Sequence, residues 1–226
     1  MKQTWGVIFD WDGVLVDSST WHEQSWEILA RELGYAIPAG SFQRGFGLKN
    51  EVIIPTILQW AQAEDEVARL AHRKETLYRQ LARDGGLSFL PGARILLDRL
   101  AAAGVPCVIG SSTERANITV ILESNQGAGY FRAILSGEDV THGKPAPDIF
   151  LKAHQALGTE HAVVIEDALP GVEAALRGGL PVVAVTTTRR REELDEATWV
   201  VDDLAEVSVE ALAVIAGADA AGPVNG

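Results

Sequence analysis

Two carboxylates follow directly on an apolar run near the start of the chain. In the segment VIFDWDGVLVDSS, residues 7–19, Asp10 ends the apolar run and Asp12 comes two residues later. Because side chains at positions i and i+2 of an extended chain point to the same side, both carboxylates are expected together at the end of a strand. Two like charges this close are unfavourable unless one carboxyl holds a proton or a cation binds between them. The pair predicts a site for Mg²⁺, which prefers hard oxygen ligands, and a surface turn is the alternative.

Three later segments also place polar side chains after apolar runs or in fixed loops. Ser111 in CVIGSST comes at the expected start of a helix, where it could hold a phosphate oxygen or simply cap the helix. Lys144 in GKPAPD precedes two prolines that fix its loop, and a solvated lysine is the alternative. Glu166 and Asp167 in VVIEDALPG end another apolar run, with helix capping as the alternative. Together these segments supply carboxylates, a hydroxyl and an ammonium, a combination that helix caps alone do not explain.

Short apolar runs of the strand type alternate with segments of helical periodicity along most of the chain. This pattern is typical of a parallel sheet with helices on its faces. Because the carboxyl ends of parallel strands meet at one edge of the sheet, the polar groups described above are expected to lie close together. The predicted strands are Trp5–Phe9, Val105–Ile109, Ala133–Leu135, Ala162–Ile165 and Val182–Val185.

Residues 17–86 have a different pattern, because strand-like runs are missing and long helical periods replace them. Ile53–Ala61 and Val67–Leu81 are two of the predicted helices. We therefore predict an α/β fold, a Rossmann-like parallel sheet flanked by helices, with an inserted all-helical cap domain. The core domain is expected to comprise residues 1–16 and 87–226, and the cap domain residues 17–86.

Charge and composition disfavour several classes of partner. The 226 residues carry 19 Lys and Arg against 31 Asp and Glu, and the formal net charge of −12 argues against nucleic acid and, more weakly, against anionic membranes. No apolar run approaches the roughly 18 residues of a membrane span. No signal peptide is expected, and Cys107 is the only cysteine. We expect a cytoplasmic protein, a monomer or weak dimer, that binds neither nucleic acid nor membranes.

Four segments of the chain resemble, in order and spacing, the four motifs of the haloacid dehalogenase superfamily: FDWDGVLVDS, GSS, GKPAPD and IEDALPG. The resemblance is to the β-phosphoglucomutase-like and phosphatase branch of that superfamily. The inserted helical segment looks like the small helical cap of that branch. The resemblance implies that Asp10 is the nucleophile that becomes an aspartyl phosphate and that Asp12 is the general acid and base. It also implies that Ser111 and Lys144 hold the transferring phosphoryl group, with Ser112 as a further substrate contact.

The same resemblance implies Mg²⁺ as the cofactor. Its ligands would be Asp10, Asp167, the backbone carbonyl of Asp12 and, directly or through water, Glu166. The dehalogenases and phosphonatases of the superfamily lack an acid at the position of Asp12, so its presence implies phosphoryl transfer. We therefore expect a Mg²⁺-dependent phosphatase acting on a small phosphorylated metabolite, with a sugar phosphate as the expected substrate. A β-phosphoglucomutase-like phosphosugar mutase is the alternative.

Two residues of the cap segment match substrate-binding positions of the sugar-phosphate members of this branch. His22 matches a histidine that helps to orient the acid or the substrate, and Lys74 matches a lysine of the mutase cap. The alternatives are a half-buried histidine that packs on Trp26, four residues later on the same helix face, and a lysine on a solvated helix face.

The loop QRGFGLKNE, residues 43–51, resembles the substrate loop of the same cap. The mutase carries an arginine there that holds a second phosphate, whereas this chain has Asn50 at the matching position. Arg44 or Lys49 could substitute for that arginine. The departure argues against a bisphosphate intermediate, and therefore favours a phosphatase over a mutase.

Overall fold

The computed structural model describes residues 4–45 and 48–218. The chain divides into two compact units, each described below by itself. The sheet unit comprises Met1–Asp17 and Ser88–Gly226, and the helical unit comprises Ser18–Leu87. Phe46 and Gly47, in the predicted substrate loop, lie outside the described residues. Within residues 4–45 and 48–218, no helix combines the length and the apolar character that crossing a membrane requires.

The helical unit consists of helices and loops throughout its described part. Its first and last helices pack against each other, and Trp26 and Leu29 of the first are buried with Ile54 and Leu70. The segment predicted as a helix from Ile53 to Ala61 is a π-helix that ends at Leu58. The α-helices of this unit are α1 (Ser19–Leu33), α2 (Ser41–Gly45), α3 (Asn50–Val52) and α4 (Glu64–Asp84).

The sheet unit contains a six-stranded sheet in the order β3-β2-β1-β4-β5-β6, and every neighbouring pair is parallel. The predicted parallel sheet is therefore confirmed. Short apolar runs fill the centre of the sheet because a parallel sheet is buried on both faces. The strands are β1 (Trp5–Phe9), β2 (Cys107–Gly110), β3 (Phe131–Leu135), β4 (His161–Glu166), β5 (Val182–Val185) and β6 (Trp199–Val201).

Two of the predicted strands are too short, because β3 begins at Phe131 and not at Ala133 and β4 extends from His161 to Glu166.

The differences at β2 and β6 have a clear physical reason. β2 begins at Cys107 and not at Val105, because Pro106 has no N–H to donate to a ladder; its carbonyl still accepts a hydrogen bond from the N–H of Val7 at 3.0 Å. β6 was not predicted at all, because its three residues, Trp199–Val201, are too few to show a period.

Within the described residues of the sheet unit, five α-helices accompany the sheet and bury its faces. Phe150 of the helix after Pro147 and Val172 of the next helix pack with Ile8, Val108 and Val164 of the sheet. Each such fully buried side chain stabilises the fold by roughly 1.5–3 kcal/mol. The helices are α5 (Pro91–Ala102), α6 (Arg115–Ser124), α7 (Asp148–Leu157), α8 (Leu169–Arg177) and α9 (Val209–Ile215).

The strand order brings the ends of β1, β2 and β4 together at one edge of the sheet. The N–H of Asp10 donates to the carbonyl of Ile165 at 2.9 Å, and the N–H of Ser111 donates to that of Leu135 at 3.0 Å. The chain runs outward from β1 through β2 to β3 and then returns to build β4, β5 and β6 on the other side of β1. Ligands bind at such a switch point in open α/β sheets.

Candidate active site

The chain turns back on itself immediately after Asp12, and a glycine makes the turn possible. Gly13 has a φ of +77°, and its N–H donates to the carbonyl of Val16 at 2.8 Å. A Cβ at this position would lie 2.0 Å from Oδ2 of Asp167. Glycine is therefore required twice, for the left-handed backbone and for the close approach to Asp167.

Asp10, Glu166 and Asp167 form a buried acidic cluster at the ends of β1 and β4. Their ligand atoms all lie within 4.8 Å of one another. Nζ of Lys144 lies 2.8 Å from Oδ1 of Asp10 and 2.7 Å from Oε1 of Glu166, and only 8% of the lysine side chain is exposed. The alternative of a solvated Lys144 is therefore wrong. Its ammonium offsets one of the three negative charges in the cluster.

The electrostatics of the acidic cluster show an excess of negative charge. Burial raises the pKa of Asp10 to about 7, because Lys144 offsets only part of the cost and Glu166 adds repulsion. Burial and the charge of Glu166 raise the pKa of Asp167 to about 9. Burial alone would lower the pKa of Lys144, but the carboxylates of Asp10 and Glu166 raise it. A divalent cation would relieve this repulsion and hold both aspartates ionised.

Glu166 and Asp167 are held in place by groups that the sequence analysis did not single out. Oε2 of Glu166 accepts the backbone N–H groups of Asp167 at 2.7 Å and Ala168 at 2.9 Å, which lie just before α8. Glu166 therefore satisfies backbone donors, as in the capping alternative, and contacts Lys144 with its other oxygen. The hydroxyl of Thr188 donates to Oδ2 of Asp167 at 2.5 Å. Gly171, in the first turn of α8, is so close that a Cβ would lie 1.7 Å from Oε1 of Glu166.

Asp12 and Ser111 are connected through Thr113, which follows β2. The Thr113 hydroxyl donates to Oδ2 of Asp12, and the Thr113 N–H donates to Oγ of Ser111 at 3.2 Å. Ser111 is 1% exposed, whereas Ser112 is exposed to solvent. The contact between Thr113 and Asp12 crosses the sheet edge and depends on strand order, so the sequence alone does not predict it.

The helical unit holds a second group of buried polar side chains. Nζ of Lys74 lies 2.6 Å from Nδ1 of His22 and 2.7 Å from Oε1 of Glu75, and Asn50 donates to the same carboxylate oxygen at 2.7 Å. Lys74 is 2% exposed, so the alternative of a solvated helix face is wrong. The ring of His22 stacks on Tyr78 with 3.9 Å between centroids.

The charges in this group are matched within the helical unit. Burial and the ammonium of Lys74 lower the pKa of His22 to about 3, so its ring is neutral near pH 7. Burial alone would raise the pKa of Glu75, but Lys74 and the surrounding donors lower it to about 2. Glu75 escaped the sequence analysis because a carboxylate in the segment HRKETLY is typical of a solvated helix.

The other two cationic candidates of the helical unit are exposed. Arg44 donates to the carbonyl of Ala39 at 2.8 Å and to Oγ of Ser41 at 3.3 Å, both close in sequence. Lys49 is exposed at the position before α3. Neither side chain is part of the group that the contacts of Lys74 with His22 and Glu75 define.

The donor set of the acidic cluster suits Mg²⁺. The three side chains offer hard carboxylate oxygens within 4.8 Å of one another, which is the ligand chemistry that Mg²⁺ prefers. The raised pKa values of Asp10 and Asp167 show that the cluster lacks positive charge. Asp10, Glu166 and Asp167 would hold the ion, and Lys144 would stand beside it as a second positive charge.

Comparisons with known proteins identify the family of the chain. A family model described as haloacid dehalogenase-like hydrolase matches residues 7–185, which include all four motifs. The chain is 32% identical over 209 residues to hexitol phosphatase A of Escherichia coli (strain K12), covering 90% of this chain and 93% of that protein. It is 34% identical over 219 residues to the chloroplastic 5-amino-6-(5-phospho-D-ribitylamino)uracil phosphatase of Arabidopsis thaliana. That match covers 95% of this chain and 58% of the longer relative.

The fold is also that of a solved relative. The crystal structure of β-phosphoglucomutase from Clostridium difficile matches with a TM-score of 0.79 and 25% identity, covering 94% of this chain and 96% of that one. The motif resemblance found in the sequence is thus confirmed by a family model, by relatives and by a shared fold. The chain belongs to the haloacid dehalogenase-like hydrolase family.

Proposed function

We propose that the protein is a Mg²⁺-dependent phosphatase that transfers the phosphoryl group of a small metabolite first to Asp10 and then to water. The observation that carries the proposal is the buried contact of Asp10 with Lys144, beside Glu166 and Asp167. A carboxylate is a competent nucleophile for covalent catalysis. The adjacent ammonium offers fixed positive charge where the phosphoryl oxygens need it.

The proposed reaction has two steps, transfer of the phosphoryl group to Asp10 and its transfer from Asp10 to water. An oxygen of Asp10 forms a bond to phosphorus while the bond from phosphorus to the leaving oxygen breaks, and Asp12 gives that oxygen its proton. Asp12 then takes a proton from water as the water oxygen attacks phosphorus and releases Asp10 and inorganic phosphate. Ser111 and Lys144 hold the phosphoryl oxygens during both steps. The acidic cluster of Asp10, Glu166 and Asp167 would hold Mg²⁺, and the ion would supply further positive charge to offset the charge of the phosphoryl oxygens.

We propose a sugar or sugar-alcohol phosphate as the substrate. The proposal is supported by the similarity to hexitol phosphatase A, which matches along most of both chains. The proposed substrate contacts outside the acidic cluster are His22, Lys74, Arg44, Lys49 and Ser112. A small anionic metabolite is compatible with a net charge of −12 because the metal and Lys144 set the local field.

A phosphosugar mutase is the second candidate, and the observation that favours it is the contact between His22 and Lys74. These residues match positions of the mutase cap by sequence. The surroundings of Lys74 argue for the phosphatase instead, because Glu75 already pairs with its ammonium and Asn50 donates to the same carboxylate. A second phosphate would have to compete with Glu75 for that charge.

The test is ³¹P NMR of the purified protein with Mg²⁺ and a panel of sugar and hexitol phosphates, including β-glucose 1-phosphate with a trace of its bisphosphate. We expect the ³¹P signal of inorganic phosphate to grow with time in the wild type and to stay absent in Asp10→Asn. Asp195→Asn, the same change at an exposed carboxylate, is the matched control and should keep activity. Conversion of one sugar phosphate into its isomer without free phosphate would contradict the phosphatase and support the mutase.

A cytoplasmic location and a monomeric or weakly dimeric state are also proposed. They rest on the single cysteine and on the charge of −12. Size-exclusion chromatography with light scattering measures the oligomeric state directly, and a stable higher oligomer would contradict the expectation.

A further inference from the structure

Thr113 makes the side-chain contact that links Asp12 to the loop after β2. Its hydroxyl donates a hydrogen bond to Oδ2 of Asp12, and its side chain is half-buried. The two residues are 101 positions apart in the chain and meet because β1 and β2 are neighbours in the sheet. The contact therefore depends on the tertiary fold and is not a local helix cap.

The backbone around Thr113 is fixed from both sides. Its N–H donates to Oγ of the buried Ser111 at 3.2 Å, and its carbonyl accepts the N–H of Gly137 at 3.5 Å. Gly137 lies so close to the loop that a Cβ there would meet the carbonyl of Ser112 at 2.5 Å. Arg115, the first residue of α6, donates to the carbonyl of Ile134 at 2.6 Å. A hydroxyl on such a fixed loop can hold a partner in one orientation.

We propose that Thr113 is a positioning residue for the acid and base of the reaction, an inference that rests on the proposed function. By donating to Oδ2 of Asp12, the Thr113 hydroxyl fixes the rotation of the carboxyl group and so the direction in which Asp12 presents its proton. The carboxyl group then gives its proton to the leaving oxygen in the first step and takes one from water in the second. A general acid must lie within hydrogen-bond reach of the atom that it protonates, so its orientation controls the rate.

The effect of losing the Thr113 hydroxyl should depend on how basic the leaving oxygen of the substrate is. An alkyl phosphate releases a strongly basic alkoxide and needs its proton in the transition state, whereas p-nitrophenyl phosphate releases a weakly basic phenolate that departs without one. Loss of the Thr113 hydroxyl should therefore reduce kcat/KM for an alkyl phosphate more than for the aryl phosphate. General damage to the fold, or a purely structural role for Thr113, would reduce both equally.

The test compares kcat/KM for sorbitol 6-phosphate and for p-nitrophenyl phosphate with Mg²⁺ in the wild type, Thr113→Val and Thr113→Ser. We expect the ratio of alkyl to aryl kcat/KM to fall about tenfold or more in Thr113→Val, since general acid catalysis contributes about 10²–10⁴-fold. Serine keeps the donor, so Thr113→Ser should restore the ratio to within about threefold. If sorbitol 6-phosphate is a poor substrate, the best alkyl phosphate found by ³¹P NMR takes its place.

Controls separate this inference from the proposed function. Thr119→Val removes a hydroxyl that donates to the carbonyl of Arg115 within α6, and it should keep the wild-type ratio. An unchanged ratio in Thr113→Val, or equal losses on both substrates, would overturn the role of Thr113 while the wild-type enzyme still proved a phosphatase. Absence of hydrolysis in the wild type would instead contradict the proposed function. If Thr113→Val does not fold, Thr113→Ala makes the same comparison.

Discussion

Replacing Glu75 by glutamine should destabilise the helical unit, because the charge of Lys74 would stay buried without its carboxylate. Nζ of Lys74 lies 2.7 Å from Oε1 of Glu75 and 2.6 Å from Nδ1 of His22. The lysine and glutamate side chains are 3% and 6% exposed. Because glutamine keeps the shape of the side chain and removes its charge, the variant tests the ion pair and not the packing.

Two estimates of the effect agree. Lys74 and the neighbouring donors outweigh burial and lower the pKa of Glu75 from 4.5 to about 2. One pKa unit corresponds to about 1.4 kcal/mol, so the ionised carboxylate stabilises the fold by about 3 kcal/mol at pH 7. Removal of one partner from a buried ion pair costs about 3–5 kcal/mol in proteins generally. We therefore expect Glu75→Gln to lower the free energy of unfolding by about 3 kcal/mol.

Urea unfolding at pH 7, followed by tryptophan fluorescence, measures this loss. Trp26 is a suitable reporter because the Lys74 ammonium lies 5.5 Å from the centre of its ring. Glu66→Gln is the matched control, because Glu66 pairs with Arg69 at the same 2.7 Å on the same helix but in solvent, and it should lose far less. The double variant Lys74→Met with Glu75→Gln should regain most of the stability. A loss below about 1 kcal/mol for Glu75→Gln would refute the reasoning.

Three further predictions concern pH, the metal and the fit of one glycine. The pKa of His22 is lowered to about 3, so the unfolded chain takes up a proton near pH 6.5 that the folded chain excludes. Stability should therefore fall by up to about 1.4 kcal/mol per unit as the pH drops from 6.5, and urea unfolding of His22→Gln should show a flatter profile. Because the pKa values of Asp10 and Asp167 are raised to about 7 and 9, Mg²⁺ binding near pH 7 should release protons. Calorimetry in buffers of different ionisation enthalpy counts them, and a buffer-independent heat would contradict the assignment. Gly171→Ala places a methyl group 1.7 Å from Oε1 of Glu166 and should weaken Mg²⁺ binding about tenfold or more in the same titration.

Much of the sheet could be predicted from the sequence because its strands are buried on both faces. β1 and β5 begin and end where their uninterrupted apolar runs do. The start of β2 was predicted at Val105 and not at Cys107, because Pro106 breaks the ladder while its apolar neighbours continue the pattern. β6 escaped because three residues cannot show a period and two of them, Trp199 and Val200, are only half-buried.

The candidate site was predictable where its residues end strands, and less so elsewhere. Asp10 and Glu166 follow apolar runs, so parallel topology alone brings them to one edge of the sheet. The contacts of Thr113 with Asp12 and of Thr188 with Asp167 depend on loop conformation, which a hydroxyl in the sequence does not reveal. Glu75 is buried because α4 packs against α1, whereas its neighbours in sequence are typical of an exposed helix.

The central claim is that Asp10 accepts the phosphoryl group, and trapping that intermediate tests it most directly. The enzyme is mixed with Mg²⁺ and an excess of the best substrate, quenched in acid during turnover and mapped by peptide mass spectrometry. We predict a single phosphoryl group on the peptide that contains Asp10, and neither the modification nor turnover in Asp10→Asn. A phosphoryl group on another residue such as Ser111, or Mg²⁺-dependent turnover that persists in Asp10→Asn, would contradict the account.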